Sequence, residues 1–186
     1  MRTTAALNVG FVPVKAANLT PALTGNTLIT NMVAYLRAVF PAAKINIWNK
    51  KGGPLDANYN YNMPGDGTCG DGWTDLLDDL DDIYDSWSNR PANAVVYGLL
   101  DAGVPPGAGH GCGRMGDPIA AGMLDPGSGQ TIAHEMGHNF GRNHAPCGVP
   151  DPDGNFPTYL NPQGTPYPSA SIGQVHRAIL KNGDEV

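Results

Sequence analysis

A chain of 186 residues has the length of one domain, enough to bury a core without relying on disulfide staples. Its formal net charge of -6 contains no basic stripe or basic helix face, which argues against nucleic acid as a partner. The 25 glycines and 17 prolines argue against a helical bundle and for many turns and irregular connections.

No apolar run approaches membrane-spanning length, and the opening MRTTAALN lacks the apolar stretch of a signal peptide. Three cysteines, Cys69, Cys112 and Cys147, permit one disulfide with one thiol left over. Both Cys69 and Cys147 are open as partners for Cys112. Either the protein is cytoplasmic or this chain is an excised piece of a secreted or extracellular parent protein, and the second is the expectation.

Residues 6–14 (ALNVGFVPV) alternate and are rich in branched side chains, which predicts a first strand. Over residues 27–40 the apolar positions fall at helical spacing after a cap at Asn26, with Pro41 as the stop. A second strand is predicted at 44–48 (KINIW), broken by the Lys-Gly-Gly-Pro at 51–54. Trp73, Leu76, Leu77, Leu80, Ile83, Tyr84 and Trp87 then recur at intervals of three and four, with aspartates between them. That pattern predicts an amphipathic helix whose aspartates form a solvated face rather than a calcium loop. Strands are predicted at 93–100 (NAVVYGLL) and 119–124 (IAAGML). The order strand, helix, strand, helix, strand, strand predicts an α/β domain with a mostly parallel sheet.

Between the last two strands, residues 111–116 match G-x-G-x-x-G. Their distance from the preceding strand and the following Asp117-Pro118 argue for a glycine-rich loop and against a dinucleotide site. His110 beside them reads as a loop residue, and His176 as part of a solvated tail. The Asp-Pro-Asp-Gly at 151–154 is a turn, because the remaining ligands of a calcium loop are missing.

The chemistry lies in residues 131–147, TIAHEMGHNFGRNHAPC. His134 and His138 frame the pattern H-E-x-x-H on a predicted helix. Four residues advance a helix by about 6 Å and about 400°, so both imidazoles leave one face, one turn apart. Glu135 stands one step round, beside a metal held by those rings without being its ligand. Gly141 suits the positive φ that ends a helix and turns the chain, returning His144 as a third ligand. Three nitrogens leave a fourth position for water, as in a catalytic zinc site, with Glu135 as the base that takes the proton of that water. The rival reading, a helix with two incidental surface histidines, has to explain why three of only five histidines fall at these offsets.

Residues 134–144 resemble the extended H-E-x-x-H-x-x-G-x-x-H signature of the metzincins, and the run HEMGHN-x-G-x-NH is most similar to the adamalysin or reprolysin-like branch. The resemblance implies a zinc endopeptidase of zincin-like α/β fold acting on protein or peptide substrates. It implies a twisted, mostly parallel sheet with two or three helices, one of them bearing the metal ligands, and a substrate extended along a sheet edge. By this resemblance residues 1–146 form the N-terminal catalytic subdomain, and 147–186 an incomplete, loop-rich start of a C-terminal subdomain. Two departures stand out. Ala145 and Pro146 follow the third histidine where adamalysins carry Asp, and no methionine follows Met136, so the expected methionine-containing turn is absent. The expectation is a chain that stops before that turn. The alternative to a working protease is a non-catalytic zinc-binding fragment or inactive paralogue.

Overall fold

The structure, a computed structural model, describes residues 6–23, 25–40, 42–49, 54–62, 69–104 and 110–142. His144, Cys147, His176, the turn at 151–154 and the whole of the expected second subdomain lie outside the described residues. The elements are β1 (Leu7–Lys15), α1 (Thr27–Val39), β2 (Ile45–Asn49), β3 (Leu55–Asp56), α2 (Asp71–Ser86), β4 (Ala94–Asp101), β5 (Gly111–Gly113), β6 (Ile119–Leu124) and α3 (Ser128–Asn139).

The sheet runs β2-β1-β4-β6-β5, with β3 also paired to β1. Every pairing is parallel except that of β5 with β6, so the α/β arrangement with a mostly parallel sheet is the one observed. Parallel central strands are covered on both faces, and β4 shows it by alternation. Val95, Tyr97 and Leu99 point into a core shared with α1 and α3, whereas Val96 and Leu100 point into a core shared with α2. Three layers result, and α3 lies over the β5–β6 end of the sheet.

Local sequence explains the helices. Asn26 caps α1, its Oδ1 accepting from the Leu28 N–H at 2.9 Å. In α2, Trp73, Leu76, Leu77 and Leu80 are buried while Asp75, Asp78, Asp82 and Asp85 are exposed. Three aspartates of this helix, the exposed Asp78 and the partly buried Asp79 and Asp81, have specific partners. Asp79 accepts a hydrogen bond from the Tyr59 hydroxyl at 2.7 Å, which more than burial pushes that phenol up to about 12. Asp78 and Asp81 receive the guanidinium of Arg114. Among the described residues no helix is long and apolar enough to cross a membrane.

Residues 111–113 depart from expectation. They form β5, a short antiparallel edge strand, rather than part of a loop. Gly-Cys-Gly carries too few side chains to display alternation, so the strand is defined only by its ladder with β6. The two-residue β3 was likewise unanticipated.

Candidate metal centre

The helix α3 starts from a turn in which the Asp125 Oδ1 accepts from the Gly127 N–H at 2.7 Å. Ile132, Ala133 and Met136 are fully buried on its inner side, and this packing fixes the helix about its axis. His134 and His138 then leave one face with their rings perpendicular and their centroids 4.8 Å apart. Their two Nε2 atoms approach to 3.2 Å. One ligand atom from each of His134, Glu135 and His138 falls within 4.8 Å of the others, a group that could hold a metal ion.

Below the motif the chain reverses as Gly141 takes φ +74°. The Arg142 N–H donates to the Gly137 carbonyl at 3.0 Å and the Gly141 N–H to the His138 carbonyl at 2.8 Å, the paired bonds of a Schellman helix end. The reversal also carries the Arg142 carbonyl to 2.7 Å from His138 Nδ1. A carbonyl only accepts, so Nδ1 carries the proton. In the neutral ring Nε2 is then the bare nitrogen, the one turned toward His134.

These atoms fit a zinc ion. Tetrahedral geometry with Zn–N bonds of about 2.0–2.1 Å places two ligand nitrogens about 3.3–3.4 Å apart. The observed 3.2 Å is close to that span, and the protonated Nδ1 bonded to a carbonyl is the usual outer support of a ligating histidine. His144, the expected third ligand, lies outside the described residues.

Glu135 is 7% exposed, and burial pushes its carboxyl up to about 8. The edge strand β5 packs against the backbone and Cγ of Glu135. A side chain at Gly113 would stand 2.5 Å from the Glu135 carbonyl oxygen, so glycine is what lets the edge strand lie directly against the motif helix. Cys112 between the two glycines is joined to Cys69, with Cα atoms 6.1 Å apart, which settles the pairing that the sequence left open. Beneath the site, Tyr97 of β4 is fully buried, and burial, followed by the charges of Glu135 and Asp125, raises its phenol well above the usual range. His110 bonds Asp125 at 2.9 Å through Nδ1 and is largely exposed.

Sequence reasoning did not single out Asn139, Tyr97 or the Arg142 carbonyl. Asn139 follows His138 directly, and its Nδ2 donates to the carbonyls of Arg114 and Ile119 at 3.1 and 2.8 Å. The available signal was an amide at the end of the motif helix. Its partners, 25 and 20 residues away, carry no pattern that names them.

No family model matches the chain. No curated protein matches it. Among solved structures it is similar to a chain in a structure of a chaperone–substrate complex, with 14% identity, a TM-score of 0.49 and 92% of this chain covered. It is also similar to metalloproteinase-II from Bacteroides fragilis, with 16% identity, a TM-score of 0.46 and 77% of this chain covered. The matches span 28% and 45% of those two chains, respectively. The mixed α/β assignment stands on the strand order and pairing of the chain itself.

Proposed function

We propose that this chain is the catalytic part of a zinc-dependent endopeptidase of the metzincin type, similar to the reprolysin-like branch in its motif. In this reading His134, His138 and His144 hold the metal and Glu135 is the general base. The observation that carries it is the convergence of two imidazole Nε2 atoms at 3.2 Å beside a buried carboxylate on the same helix. Zinc bound there supplies Lewis acidity toward water and toward the scissile carbonyl.

The remaining work falls to the chain. Arg142 holds His138 in the tautomer that presents Nε2, and the packing of α3 keeps Glu135 beside the two rings. Glu135 takes a proton from the attacking water and returns it to the leaving amine. A divalent cation held by the two neutral imidazoles would favour the ionised, proton-accepting form of a carboxyl that burial alone holds at about 8. The edge strand β5 is placed for an extended peptide to add alongside it, next to Glu135. The Cys69–Cys112 disulfide supports an oxidising, extracellular setting.

Metal content and peptide cleavage, measured on the wild type and Glu135→Ala, test this. The expected result is bound zinc in both proteins and turnover reduced at least about 10²-fold in the variant. Undiminished cleavage by Glu135→Ala removes the mechanism. Bound zinc in the wild type without turnover of a broad peptide library favours the non-catalytic zinc-binding reading instead.

A further inference from the structure

The end of α3 is tied to the sheet more firmly than helix termination requires. Asn139 is 7% exposed and spends both amide protons on the carbonyls of Arg114 and Ile119, which bracket the β5–β6 connection. Those two residues are themselves joined, the Arg114 N–H donating to the Ile119 carbonyl at 3.0 Å. From the same connection the Gly116 N–H donates to the His138 carbonyl at 2.9 Å. On its far side the connection is anchored to α2, where the Arg114 guanidinium reaches Asp78 and Asp81.

Among the described residues the buried side-chain Oδ1 of Asn139 meets no hydrogen-bond donor. An unsatisfied buried acceptor is unfavourable, so filling space does not explain an asparagine here. Its two donated bonds do, because they lock the peptide next to His138 against a loop held from the other side. The ring of His138 hangs from that peptide, with its Nε2 at 3.2 Å from His134.

We propose that Asn139, with Arg114 behind it, is a positioning residue of the metal centre, holding the His138 peptide so that Nε2 stays at ligating distance from His134. This rests on the metal-site reading above.

The test is zinc affinity of the full chain, measured by competition with a chromophoric chelator, alongside thermal unfolding in excess chelator. The comparison is wild type, Asn139→Ala, Arg114→Ala and Asn8→Ala. Asn8 is a control of the same kind, 5% exposed on β1, with its Nδ2 bonded to the Ala92 carbonyl at 2.7 Å and its Oδ1 to Asn46. The expected result is zinc affinity lowered about 10-fold in Asn139→Ala, the low end of what loss of a partner bonded directly to a ligand costs, because Asn139 acts on the His138 peptide and not on its ring. Arg114→Ala is expected to lose about two- to fivefold, in keeping with a partly exposed ion pair. Asn8→Ala should melt earlier yet bind zinc as the wild type does.

Wild-type affinity in Asn139→Ala overturns the proposal. So does an equal loss in Asn8→Ala, which would assign the effect to general destabilisation. Where Asn139→Ala does not fold, unchanged affinity in Arg114→Ala overturns it. A wild type that binds no zinc overturns the metal-site reading itself, whereas a zinc-binding wild type with an equally tight Asn139→Ala overturns this inference alone.

Discussion

Glu135 combines a position beside two imidazoles with nearly complete burial, and in the metal-free chain burial governs its proton. Burial raises its carboxyl from 4.5 to about 8 in the folded chain. A group whose folded pKa exceeds its unfolded value stabilises the fold in its protonated form. That contribution is full below the unfolded pKa and is lost as pH rises through the folded one. Metal-free protein is therefore expected to lose thermal stability between about pH 4.5 and about pH 8, and Glu135→Gln to flatten that slope. Melts in excess chelator at half-unit pH steps check this, and parallel slopes for the two proteins would contradict it. Gly141 gives a second prediction. It sits at φ +74° and no described residue would stand within 4 Å of an added Cβ, so among the described residues Gly141→Ala meets no clash and bears the left-handed backbone cost of about 1–2 kcal/mol. Urea unfolding of the metal-free protein reads that cost directly. Zinc affinity should fall as well, because the same turn carries the Arg142 carbonyl to His138.

Among the elements, β5 does most with least sequence. Three residues join the sheet, glycine at 113 admits the motif helix, and Cys112 ties the strand to the entry of α2 through Cys69. The two cysteines are 43 residues apart, and a cross-link closing a loop of that length removes about 4 kcal/mol of unfolded-chain entropy. The double variant Cys69→Ser/Cys112→Ser is expected to lose about 2–5 kcal/mol in equilibrium unfolding. A variant as stable as the wild type would show that β5 holds without its staple. Sequence legibility differs sharply between elements here. The helix α2 was legible because Trp73, Leu76, Leu77 and Leu80 repeat at a period that only a helix turns to one side. The strand β5 was not, since Gly-Cys-Gly has no periodic signal and its definition comes from Ala120, Ala121 and Gly122 across the ladder.

At the scale of the whole molecule, two cores flank one sheet, and the candidate metal centre draws on one of them. Met136 and Ile132 bury the inner side of the helix whose other face carries His134 and His138, so folding and the geometry of that pair are coupled. A metal that binds only the folded state stabilises it by about 2.7 kcal/mol at one hundred times its dissociation constant. For a chain of this size that corresponds to a rise in Tm of roughly 5–10 °C. Differential scanning with zinc and with chelator checks it, and coincident melts would mean that the histidines hold no metal.

The sequence by itself determined the sites of the main strands and helices and the face from which His134 and His138 emerge, because local periodicity dictates both. The three-four spacing in α2 and the four-residue step between the histidines need no knowledge of distant partners. Tertiary structure alone decided what surrounds those histidines. It selected Cys69 as the partner of Cys112, brought β5 against the backbone of Glu135, buried the Glu135 carboxyl, and set Asn139 on the carbonyls of Arg114 and Ile119. The reason is physical: a disulfide, a buried charge and a clamp across 25 residues depend on distances through space, and those exist only once the sheet and its two cores have formed.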